Sequence, residues 1–155
     1  MPAAEFQTRH LLSHLFAAGK RVFLPRVVSS ERMLMLECHS MADVDALPAN
    51  SWGIREPPAT DGRLDVLSCV DQVGLCVVPG VAFTRDGLRL GHGRGYYDRY
   101  LHAWDAERQK CGLVGRVPTV ALALRCQLVE QLPVLEHDRR IDHVIHAPTD
   151  SDVNT

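Results

Sequence analysis

Residues 89–98 read Arg-Leu-Gly-His-Gly-Arg-Gly-Tyr-Tyr-Asp, with three glycines at alternate positions, two arginines and the start of a helical pattern. Backbone N–H groups in such a run converge without Cβ hindrance, and a helix N-terminus behind them adds partial positive charge. Gly91, Gly93 and Gly95 therefore have the makings of a phosphate cradle. Arg89 and Arg94 supply full charges for the same anion. The run is not a P-loop, which ends in Gly-Lys-Ser/Thr, and its third glycine comes one residue too early for a dinucleotide-binding turn. On its glycines alone the segment is equally a tight structural turn. His92 reads as a neutral loop side chain or a phosphate contact. Tyr96 and Tyr97 alternate in environment, so one belongs to the core and the other lines the site.

These residues need elements to hold them. The apolar run at 75–78 predicts a buried strand, stopped sharply by Pro79-Gly80. Asp86-Gly87 lies between two short apolar runs, 81–83 and 88–90, and predicts a small hairpin or lid. Tyr97, Tyr100, Leu101 and Trp104 fall on one helical face, so the glycine loop opens a helix. Upstream, Thr8 is placed to cap a helix with Leu11, Leu12, Leu15 and Phe16 on its apolar face and Gly19 as its left-handed stop. Val22, Phe23 and Leu24, closed by Pro25, predict a strand buried on both faces, and 33–36 a second strand. Ser40 and Asp43 have capping-box spacing before a helical turn, and a loop rich in proline and glycine follows from Pro48 to Gly62. Short strands are also expected at 120–124 and 144–145, separated by the Leu132-Pro133 turn and the charged stretch 136–140. Strands alternating with helices predict an α/β domain with a largely parallel sheet, here 1–148, followed by a polar tail at 149–155.

The chain has 155 residues, and 17 Lys and Arg against 19 Asp and Glu leave a formal charge of −2. With 46% apolar residues there is enough material for one core, which excludes disorder for most of the chain. A balanced charge argues against nonspecific nucleic-acid or membrane-surface binding, so any anion site must be local. The first twenty residues lack the basic lead and apolar block of an export signal, and no window reaches the roughly 18 apolar residues of a membrane span; a soluble, cytoplasmic protein is expected. Five cysteines, an odd number with no paired metal-binding spacing, read as reduced structural thiols.

The whole string is more specific than its glycines. Val78-Pro79-Gly80-Val81-Ala82-Phe83, the turn at Gly87, and Arg89 to Asp98 together resemble the signature of the 5-formyltetrahydrofolate cyclo-ligase (methenyltetrahydrofolate synthetase) family. Gly19-Lys20, Phe23-Leu24-Pro25-Arg26, the Ser51-Trp52-Gly53-Ile54-Arg55-Glu56-Pro57 loop, and Leu132-Pro133-Val134 leading to Asp138 and Asp142 extend the match over nearly the whole chain. The resemblance implies a three-layer α/β/α fold, doubly wound and mostly parallel, like that of sugar-phosphate isomerases and CoA-transferases. It implies a monomer acting on 5-formyltetrahydrofolate with ATP and Mg²⁺. Arg89, Gly91, His92, Gly93, Arg94, Gly95, Tyr96 and Tyr97 would meet ATP, with Arg94 and Tyr96 catalytic. Glu5, Trp52, His92, Gly93, Arg94, Gly95 and Tyr96 would meet the folate, and Asp98 and Asp138 would hold the metal. Each has a plainer reading: a helix-terminal charge for Asp98, a surface charge for Asp138, a core-edge cover for Trp52, and a solvated carboxylate for Glu5.

Two departures from the family pattern stand out. His92 replaces a common arginine, and Arg94 sits where lysine is frequent, which turns a compact charge into a planar fork. The chain also starts at the segment holding Glu5, whereas related enzymes begin with a basic helix that contacts ATP and a strand. From that start the sequence reads as a short isoform, an alternative start or an incomplete gene model, with low activity and stability expected. The competing functions are a catalytically impaired form that only binds folate or a partner, and an isomerase-like enzyme on a related fold.

Overall fold

The computed structural model describes residues 8–51, 53–133 and 138–147. Helix α1 (Arg9–Ala17) starts after Thr8, whose side chain makes no capping bond. It closes as expected at Gly19, φ +65°, where Lys20 N–H reaches the Leu15 carbonyl at 2.9 Å and Gly19 N–H that of Phe16 at 3.0 Å. Leu12 and Phe16 pack on a small cluster of Cys38, Val44 and Leu47.

Strands β1 (Val22–Val27) and β2 (Met33–Cys38) form an antiparallel pair, from Val22 opposite Cys38 to Val27 opposite Met33. The expected doubly buried strand ending at Pro25 is therefore a longer one of which only Val22 is buried. Among the described residues β2 is its single strand neighbour, and on the edge this leaves a proline lacking N–H is tolerated. Helix α2 (Met41–Ala46) follows with the anticipated capping. Ser40 Oγ accepts the Asp43 N–H at 3.1 Å, and Asp43 in turn accepts the His39 N–H at 2.9 Å. Arg63 grips both Asp43 oxygens at 2.7 Å, fastening the 61–63 loop to this helix start.

The parallel sheet has the order β3-β6-β7, built from β3 (Cys76–Val77), β6 (Thr119–Ala123) and β7 (His143–His146). Between β3 and β6 the chain makes the hairpin β4 (Ala82–Phe83) and β5 (Arg89–Leu90), then α3 (Tyr96–Lys110), an α/β crossover of the expected class. The hairpin is fixed at both ends. Phe83 is buried in the core, and at the tip Ile141 N–H donates to the Gly87 carbonyl at 2.8 Å. Gly87 has φ +92°, and a Cβ there would stand 2.2 Å from the Ile141 oxygen, so no side chain fits.

Helix α3 lays Tyr100, Leu101 and Trp104 on Met33, Met35, Val66, Val78, Phe83 and Val117, making the main core. The Tyr100 and Trp104 rings meet edge to face at 6.2 Å. Asp105 on the same helix takes the buried Arg139 guanidinium at 2.7 Å, which ties the run into β7 back to α3. Asp142 accepts both the N–H and the hydroxyl of Thr119, aligning the starts of β7 and β6. Among the described residues no helix is long and apolar enough to cross a membrane.

Candidate functional site

Open parallel sheets leave their ligand crevice at the carboxyl ends of the strands. Just beyond that end of β3, Pro79 and Gly80 turn the chain into the β4–β5 hairpin, and β5 delivers residues 91–95 to the N-terminus of α3. Gly93 and Gly95 hold left-handed conformations, φ +76° and +61°, and a Cβ at Gly93 would meet nothing within 4 Å. The loop is thus bent by its glycines and open above the middle one. Gly95 is the N-cap of α3 and offers no side chain to the helix's first N–H groups, which leaves the positive end of a 15-residue helix uncapped from within the loop. His92, Gly93 and Arg94 are all exposed.

Beneath the loop lies an ion pair. Arg89 Nη2 donates to Asp98 Oδ2 at 2.8 Å, its Nη1 reaches the Pro79 carbonyl at 3.3 Å, and the guanidinium sits 5.9 Å from the centre of the Tyr97 ring. The Arg89 side chain is only 8% exposed and that of Asp98 20%, so two residues expected to meet different ligands meet each other. A Cβ at Gly91 would stand 2.7 Å from Arg89 Nη1, so a larger residue there would make the guanidinium shift. Burial also pushes the Tyr97 phenol well above its ordinary range, as expected of a ring turned to the core. Tyr96 instead faces the β1–β2 turn, where its hydroxyl donates to the Ser29 carbonyl at 3.0 Å. Beside it a cleft of about 240 Å³ opens, with Glu31, Met33, Asp65, Tyr96, Arg99 and Tyr100 in its walls.

Of the expected site residues, those from Arg89 to Asp98 are contiguous in space as in sequence. Asp138 lies half-buried in the strand-to-strand run beside Arg139. Glu5 and Trp52 lie outside the described residues. Sequence reasoning passed over Arg99, which bridges Arg94 and Glu31. Its place one helical turn past Gly95 was a usable signal for the first contact, but nothing local pointed to the second, 68 residues away. Among the described residues no three His, Cys, Asp or Glu gather as a metal cage.

Residues 2–147 match the 5-formyltetrahydrofolate cyclo-ligase family. The chain is 37% identical over 145 residues to the 5-formyltetrahydrofolate cyclo-ligase of Mus musculus, covering 92% of this chain and 68% of that protein. To the enzyme of that name from Escherichia coli K12 it is 35% identical, covering 91% and 71%. Among solved structures it is similar to the 5,10-methenyltetrahydrofolate synthetase of Aquifex aeolicus, with TM-score 0.63 and 30% identity over 92% of this chain and 62% of that one. The synthetase of Mycoplasma pneumoniae shares the fold at TM-score 0.53 and 22% identity, over 84% and 58%. The chain thus spans about two thirds of the length of its relatives and somewhat less of the two solved structures.

Proposed function

The chain belongs to the 5-formyltetrahydrofolate cyclo-ligase family, a family of ligases, and from that premise we propose that it converts 5-formyltetrahydrofolate to 5,10-methenyltetrahydrofolate with ATP and Mg²⁺, releasing ADP and phosphate. The observation that carries this reading is the open glycine loop at a helix N-terminus with Arg94 exposed on it. Such a loop offers N–H groups and charge to phosphates, and phosphoryl transfer asks mainly for positioning and charge neutralisation.

The chemistry explains the demand for ATP. A formamide oxygen is a poor leaving group. Transfer of the γ-phosphoryl group forms an O–P bond at that oxygen as the bond to ADP breaks. The folate's 10-nitrogen then attacks the activated carbon and loses its proton, and the C–O bond breaks with phosphate departing. In this reading the loop from Gly91 to Gly95 holds the triphosphate, and His92 and Arg94 face it from solvent. Arg89 and Asp98 brace the loop from below as a pair. Tyr96 orients the folate beside the cleft it lines, and by the family resemblance Glu5 and Trp52 would also meet the folate. Asp98 and Asp138 would hold the magnesium ion, which supplies charge neutralisation at the phosphates.

Incubating the chain with 5-formyltetrahydrofolate and Mg-ATP while recording the absorbance of the methenyl product tests the reading directly. Growth of that absorbance only with both substrates present is the expected result. Folate binding without turnover would replace it with a binding role, and turnover without ATP would overturn it.

A further inference from the structure

Arg99 stands one turn into α3 and touches three things at once. Its Nη2 donates to the Arg94 carbonyl at 2.8 Å, its Nε donates to the Glu31 carbonyl at 3.1 Å, and its guanidinium carbon lies 5.6 Å from the centre of the Tyr96 ring. Tyr96 adds a parallel link, hydroxyl to Ser29 carbonyl at 3.0 Å. The turn between β1 and β2, residues 28–32, is thereby joined to the glycine loop by side chains more than 60 residues away. Gly95 suits its place by its left-handed φ of +61°, and a Cβ there would stand 3.0 Å from Arg99 Nη1, which would have to give way slightly.

We infer that Arg99 is a positioning residue: it straps the β1–β2 turn to the glycine loop and so presets the loop for the triphosphate, acting through the Arg94 backbone and the Tyr96 ring. The inference rests on the proposed function for the identity of the ligand but not for the strap. The physical case is one of preorganisation. Gly91, Gly93 and Gly95 give the loop its shape at the cost of flexibility, and a flexible loop must be ordered each time an anion binds. Arg99 is exposed to solvent, and its planar fork spends two donors on carbonyls of different segments. Lysine, a single point donor, does not reproduce that bridge.

The test uses the full chain with Arg99→Ala and Arg99→Lys, read two ways. Amide hydrogen exchange without ligands reads the strap alone. Exchange at residues 28–32, several of whose N–H groups are bonded within the turn, is expected to rise about tenfold in Arg99→Ala, as befits losing hydrogen bonds from a charged donor, while the β6 and α3 core amides stay protected. Steady-state kinetics reads its use. The KM for Mg-ATP is expected to rise about tenfold with kcat within a factor of two, and Arg99→Lys to recover only part of it. Unchanged exchange in that turn overturns the strap. Changed exchange with unchanged KM for ATP overturns the positioning role, as does a uniform fall in kcat with a lowered melting temperature. If the unmodified chain binds no ATP, the functional reading fails and the positioning role with it, while the exchange data still decide whether the strap exists.

Discussion

Arg89 and Asp98 illustrate how one contact changes what a substitution means. Asp98→Asn would take an anionic oxygen from the proposed magnesium site, and it also leaves a nearly buried guanidinium without its counter-charge. Asp138→Asn would likewise take an anionic oxygen from that proposed site. Both variants are therefore expected to need more Mg²⁺ for half-maximal turnover, and Asp98→Asn also to lose stability, by about 1 to 3 kcal/mol in chemical denaturation. An unmoved Mg²⁺ requirement in both would make the two carboxylates structural. Arg94 lies on the exposed side of the same loop. Arg94→Ala should raise the KM for ATP about tenfold, the lower end of a charge-assisted contact in a solvated site, with the melting temperature unchanged. An unaltered KM removes Arg94 from the phosphate site.

At the scale of elements, the start of α2 is held by one carboxylate that serves three donors. Asp43 accepts from the His39 N–H and from both Nη groups of Arg63, and the Arg63 bond above all depresses its pKa to about 2. A group whose folded pKa lies below its unfolded value, about 3.9 for aspartate, stabilises the fold fully above that unfolded value. The contribution is lost as pH falls from about 4 toward 2. Asp43→Asn should therefore lower stability at neutral pH by about 1 to 3 kcal/mol. It should also flatten the acid limb of the stability profile between those two values, as followed by urea unfolding at a series of pH values. A variant whose acid limb matches the parent's would show that Asp43 does not carry it.

Over the whole molecule, the thiols report on packing. Cys38, Cys69 and Cys76 are buried while Cys111 and Cys126 are exposed, and burial pushes the Cys76 thiol up to about 12. A thiol reagent should label two of the five cysteines in the native chain and all five in denaturant; rapid labelling of a third would mean the core around β3 opens in solution. The same packing separates what could be read in the chain from what could not. Local features were legible, because each depends on residues a few positions apart: the glycine stop of α1, the Ser40–Asp43 capping, the hairpin at Gly87, and the apolar face of α3. The glycine turn that opens α3 was legible for the same reason, and the family was legible in the residues around it. The orientation of β1 was not legible, since an apolar run is the same whether its neighbours cover one face or two. Nor was the pairing of Arg89 with Asp98, or the reach of Arg99 to Glu31. Charge and spacing establish only that these groups can bond to something. Which partner each one takes is set by where the sheet, the hairpin and α3 bring the backbone together, and only the tertiary structure decides that.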